Sequence, residues 1–161
     1  MIRELITGMP VSPVLAPAVY TTDQTGTYVN HRGLGATKFD VVVGVGGITF
    51  TSSNKIEFVL LEADDSSGTG AAAVAAKDIV VSPDGPESAP ATSGIFMAIV
   101  AAHAAKKTYR VGYCGQKPYV TVKVDFSGTI ATGTGIAITA TQARTRYAGR
   151  QPVGGFTGDS V

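Results

Sequence analysis

Three arginines, Arg144, Arg146 and Arg150, fall within seven positions of one another, with Tyr147 among them. A guanidinium is a planar fork that pairs directionally with carboxylates. Basic groups interleaved with an aromatic also suit nucleic acid. The chain has 13 Lys+Arg against 12 Asp+Glu, a formal charge of +1. That balance offers no bulk attraction to nucleic acid or an anionic membrane. The cluster therefore reads first as a clamp on the carboxylates of a protein partner, with an ordinary solvated segment as the bland alternative. Arg110 and Lys117 are candidates for the same patch.

Acid–base and metal chemistry find less material. Glu62, Asp64 and Asp65 crowd at a strand end, but the spacing of an EF-hand is absent, and solvated carboxylates are the simpler reading. His31 and His103 have no acidic or cysteine partner at a ligand interval. Cys114, the single cysteine, excludes an intrachain disulfide and reads as an inert thiol. The string GTGAAA at residues 68–73 matches dinucleotide-fingerprint spacing. The intervening DDSSGTG loop removes the immediate strand-to-helix turn that such a site needs. No G-x-S-x-G elbow occurs. The expectation is a non-enzymatic protein with no catalytic residue, metal or cofactor.

These residues need a scaffold, and 161 residues suit one domain with a real core. Glycine, at 20 positions, gathers where strands are expected to end. Pro10, Pro13 and Pro17 interrupt the first twenty residues, against a signal-peptide core. The most apolar stretch, residues 94–105, is too short for a membrane helix. A soluble protein with no membrane partner is expected.

YVTVKVDF alternates cleanly: Val120, Val122, Val124 and Phe126 face one way, Thr121, Lys123 and Asp125 the other. TGIAITAT repeats the pattern with Ile136, Ile138 and Ala140 inward. KFDVVVGVG puts Phe39, Val41, Val43 and Val45 on one face, while KIEFVLLEADD alternates in part. TGTYVN and ITFTSSN read as short strands. Residues 71–78 are a short helix or an irregular crossing. Residues 94–114 read as two strands, 95–101 and 108–114, rather than helix and strand. The fold expected is all-β: an antiparallel β-sandwich, jelly-roll-like, with extended N- and C-terminal arms. Residues 1–20 form a Pro-rich arm, 21–147 the sandwich domain, and 148–161 a C-terminal arm. Val11, Val14 and Leu15 give the first arm an apolar side that lies on its own domain or on a neighbouring subunit.

The segment YRVGYCGQKPYVTVKVDFSGTIATGTGIAITATQARTRYAGRQPV resembles the C-terminal half of a family of small virion structural proteins of tailed bacteriophages and prophages. The matching pieces are the Tyr-x-Gly-Tyr-like strand at 109–113, the turn at 115–117, and the Tyr-Val-x-Val strand at 119–124. A Gly/Thr-rich hairpin at 128–135 and an Arg-rich segment at 144–153 ending in Pro-Val complete the order. Upstream, GLGATKFDVVVGVGGITF and FVLLEADD are similar too. Pro118 departs from the basic residue expected before the tyrosine, which weakens a basic contact at that turn.

The resemblance implies a head-associated role: a capsid decoration or cement protein, or else a head spike or fibre base, a vertex part or a tail connector. Its partners would be the major capsid protein and copies of itself, as a homo-oligomer with a trimer favoured and a pentamer the alternative. Its place would be the virion capsid surface, after synthesis in the host cytoplasm. The interface residues expected are Arg144, Arg146, Tyr147, Arg150, Val11, Val14 and Leu15. A carbohydrate-binding β module is the competing class, disfavoured by the absence of tryptophan.

Overall fold

The computed structural model describes residues 9–44, 50–51, 53–81, 94–101, 107–130 and 132–143. Its strands are β1 (Val11–Tyr20), β2 (Gln24–Thr25), β3 (Val29–Asn30), β4 (Ala36–Val43), β5 (Lys55–Ala63) and β6 (Ala72–Ala73). There follow β7 (Ile79–Val81), β8 (Ile95–Ile99), β9 (Lys107–Tyr113), β10 (Tyr119–Ser127) and β11 (Thr134–Ala143). One sheet runs β1-β11-β4-β9-β7. The other runs β2-β10-β5-β6, with β3 also beside β10 and β8 beside β5. Every pairing is antiparallel. With β2 and β3 taken as one interrupted strand, the two sheets have the order 1-11-4-9 and 2/3-10-5-8. That is the double Greek key of a jelly-roll-like sandwich.

The alternating strands supply the core. Phe39, Val41 and Val43 from β4 are fully buried, as are Ile56, Phe58 and Leu60 from β5 and Val120, Val122 and Val124 from β10. Ile136, Ile138 and Ala140 of β11 join the β4 row in facing the other sheet. A fully buried Phe, Leu, Ile or Val contributes about 1.5–3 kcal/mol relative to exposure, so this layer dominates the stability. The hairpin expected at 128–135 is not formed. β10 and β11 lie in different sheets, because each has an apolar face that is buried against the other sheet, not beside its sequence neighbour.

Other expectations are corrected in detail. The TGTYVN strand is broken: β2 and β3 flank Gly26, whose N–H bonds Val122 O at 3.0 Å. A Cβ there would collide with Val14 Cγ1, so β1 closes over this edge only where there is no side chain. Thr121, placed on the outward face, is nonetheless fully buried beneath that segment and donates to Thr27 O at 3.2 Å. Residues 71–78 hold β6 and one 3-10 turn, Ala76–Asp78. In ITFTSSN, Thr51 and Asn54 form a turn with Thr51 N to Asn54 O at 2.9 Å. Ile48, Thr49, Ser52 and Val45 lie outside the described residues. The two-strand reading of 94–114 corresponds to β8 and β9.

Residues 11–20 lie on the chain's own sheet as edge strand β1, paired with β11. Pro13 and Pro17 are tolerated because an edge strand needs donors on one side alone. The register shifts twice, between Pro13 and Leu15 and between Leu15 and Ala18.

Candidate functional site

The two ends of the sandwich differ. At the end here called proximal, β11 finishes beside the start of β4, with Ala143 opposite Ala36, and β1 begins beside Thr141. Gln142 N bonds Pro10 O at 3.1 Å. The chain therefore enters β1 and leaves β11 side by side. Two connections between the sheets run past the same end: residues 31–35 from β3 to β4, and 114–118 from β9 to β10. His31 N ties them by donating to Pro118 O at 2.7 Å.

Beneath these loops the last inward positions of β9 and β5 carry polar groups. Tyr113 is fully buried and its hydroxyl donates to Glu62 Oε2 at 2.7 Å, spanning the two sheets. The Tyr113 hydroxyl oxygen also accepts from Lys117 N at 3.0 Å. Burial, and then the bond to Glu62, push the Tyr113 phenol well above its usual range. His31 is buried with Nδ1 2.9 Å from Thr37 Oγ1, and its ring meets Tyr113 edge-on, centroids 4.7 Å apart. Lys117 Nζ pairs with Asp64.

The acidic loop is held by its own side chain. Asp65 Oδ1 accepts Ser67 N at 2.9 Å, Ser67 Oγ at 2.7 Å and Thr69 N at 3.0 Å. Hydrogen bonds from Thr69 and Ser67 hold the Asp65 carboxyl well below the usual carboxylate range. Glu62, Asp64 and Asp65 thus go three separate ways, and among the described residues no group of three His, Cys, Asp or Glu could hold a metal ion. GTGAAA leads into β6, not a helix, so it offers no amide-lined phosphate site. Cys114 Sγ lies 3.4 Å from Asp78 O.

A cleft of about 230 Å³ opens between residues 31–34 and 115–118. Arg32 and Lys117 line it, with Gln116, Pro118 and the backbone of both loops. The Arg32 guanidinium sits 5.3 Å from the Tyr119 ring centroid. Such a cleft can hold a small anionic group.

Of the residues expected at an interface, Val14 and Leu15 are buried in the chain's own core, whereas Val11 is 63% exposed. Arg144, Arg146, Tyr147 and Arg150 lie outside the described residues, as does His103. Arg110 and Lys117 do not form one patch: Arg110 pairs with Asp40 on the outer face of the first sheet, Lys117 with Asp64 at the proximal end. Sequence reasoning passed over Arg32 and the Tyr113–Glu62 pair. A signal for the pair was present, because Ile56, Phe58, Leu60 and Glu62 share the inward period of β5.

No family model matches the sequence, and no curated protein matches it. Among solved structures, the chain is similar to the SPBc2 prophage-derived protein YomS, at 11% identity and a TM-score of 0.44, covering 83% of this chain and 91% of that one. It is also similar to part of the Clostridium thermocellum xylanase 10B CBM22-1–GH10 modules complexed with xylohexaose. That likeness has 12% identity and a TM-score of 0.36, covering 83% of this chain and 24% of that one. A third is the structure of infectious bursal disease virus Gt strain, at 9% identity and a TM-score of 0.25, covering 83% and 41%. Among the described residues, no helix is long and apolar enough to cross a membrane.

Proposed function

We propose that the chain is a non-enzymatic phage virion structural protein that binds the assembled capsid surface as a decoration or cement protein. The carrying observation is the side-by-side passage of Pro10 and Gln142 at the proximal end. Both flanking segments, including the run from Arg144 to Arg150, are covalently attached to strands that begin and finish at that end, and the same end carries the cleft holding Arg32 and Lys117. The resemblance of residues 109–153 to phage head proteins supports the same reading. The carboxylates of the acidic loop and the Tyr113 hydroxyl are engaged in holding loops, which is work for a rigid adaptor. Weak contacts made by several copies at matched spacing on a lattice add to an avid attachment. The protein would join the capsid surface after synthesis in the host cytoplasm, beside the major capsid protein and copies of itself.

The test is occupancy on purified heads lacking the protein. Wild type should coat them at a copy number fixed by the lattice, visible in particle images. Replacement of Arg144, Arg146 and Arg150 by serine should lower occupancy while the thermal midpoint stays unchanged. Heads that take up no wild-type protein would reject the reading.

A further inference from the structure

We propose that the cleft between residues 31–34 and 115–118 receives an aspartate or glutamate side chain of a protein partner, gripped between Arg32 and Lys117. Among the described residues, two cations line this cleft and no carboxylate does. Among the described residues, Arg32 and Lys107 have no carboxylate within ion-pair distance, although Lys38, Lys55, Lys77, Arg110, Lys117 and Lys123 all do. The Arg32 guanidinium is instead stationed over Tyr119. Stacking on an aromatic face leaves the in-plane N–H edges available for a bidentate carboxylate. Lys117 carries three donors, and Asp64 leaves others to turn toward a second acceptor.

The size and rigidity of the cleft point to the same occupant. At about 230 Å³ it is smaller than a drug-sized pocket, and it has room for one acidic side chain with the peptide backbone that carries it. Its walls are already tied: Arg32 N bonds Asn30 Oδ1 at 2.9 Å, Lys117 N bonds the Tyr113 hydroxyl at 3.0 Å, and His31 N bonds Pro118 O at 2.7 Å. A preformed site gives up little conformational entropy when it is filled. Taking the partner to be a protein rests on the capsid-binding reading above. The site would place one charged contact at the end of the sandwich where β11 finishes, fixing the orientation of the attached domain.

The experiment titrates the full chain with a hexaglutamate peptide, with hexalysine, and with inorganic phosphate, following amide and Arg32 side-chain chemical shifts. Hexaglutamate should move the signals of Gly33, Gly115, Gln116, Lys117 and the Arg32 side chain. Arg32→Gln should weaken that binding about ten-fold, and Lys117→Gln should weaken it less, with shifts elsewhere unchanged. Hexaglutamate shifts that map to other surfaces would overturn the proposal, as would undiminished binding by Arg32→Gln. Phosphate binding equally well at the same residues would replace it with a general anion site. A wild-type chain that ignores heads yet holds hexaglutamate in this cleft rejects the decoration reading alone. Attachment to heads that survives Arg32→Gln in full, with no hexaglutamate shifts, rejects the cleft alone.

Discussion

At the proximal end, Tyr113 and Glu62 meet across the sandwich through a 2.7 Å hydrogen bond, and the Tyr113 oxygen also fixes the backbone of Lys117. At the distal end the inward row of β5 starts at Ile56, which stands opposite Phe126 in the β5–β10 ladder. There Phe50, Phe126 and Ile130 pack on the core, and the polar contacts lie on the exposed rim, where Asp23 Oδ1 takes Phe126 N at 2.8 Å. Asn54 Oδ1 takes Thr129 N at 3.2 Å, and Thr51 Oγ1 takes the amides of Ser53 and Asn54. One β5 row thus runs from apolar at one end to a carboxylate at the other. An apolar end closes a core, whereas a hydrogen-bonded end also specifies where the loops stand, because the bonds are directional.

The contrast breaks first in the shared core. Leu60→Ala, at a fully buried position between the ends, should cost about 2–5 kcal/mol in denaturant unfolding. Amides at both ends should lose protection together, and loss at one end alone would show two independent units. Tyr113→Phe removes the donor to Glu62 and the acceptor for Lys117 N. It should cost about 1–3 kcal/mol, and hydrogen exchange should quicken at Lys117 while Thr129 stays protected.

The distal counterpart is Gly128, with φ +83° and a Cβ position 2.8 Å from Ser53 O. Gly128→Ala should cost about 1–3 kcal/mol and expose Thr129 N without disturbing Lys117.

A smaller difference follows from pH. The Tyr113 phenol is raised above its usual 10 in the folded state, so its contribution is complete below about pH 10 and declines as pH climbs beyond it. Thermal midpoints of wild type should fall more steeply above pH 10 than those of Tyr113→Phe. The least effect is expected at the exposed acidic loop. Asp65 is lowered, so its ordering of the loop is present above the usual 3.8 and fades as pH falls. Asp65→Asn should leave the thermal midpoint unchanged while speeding exchange at Ser67 and Thr69.

Much of the fold was legible where one face is buried and the other is not. Val120, Val122 and Val124, and Ile136 and Ile138, declare their strands because a period of two puts all of them on one side. Periodicity does not name the strand each face meets, and the hairpin that the resemblance implied at 128–135 is a connection between sheets, since β10 and β11 lie in different ones. Thr121 was misjudged for a related reason: a polar side chain on an outward position is buried by a segment nearly a hundred residues earlier in the chain, through the bond to Thr27 O. Of the candidate site, the arginine-rich run was visible as composition, whereas Arg32 is an ordinary turn residue until Tyr119 lies beneath it.

Local chemistry, read in order along the chain, thus determined the strands, their inward faces, the glycine-bearing turns and the shortage of residues suited to catalysis. Tertiary structure alone decided that Asn30, Tyr113, Pro118 and Gln142 share one end, that Glu62 closes the core instead of joining a carboxylate cluster, and that a cationic cleft forms there. The physical reason is that a side-chain period is a local property of the backbone. Which loops become neighbours depends on how two sheets stack to bury their apolar faces, and that is settled by contacts far apart in the chain.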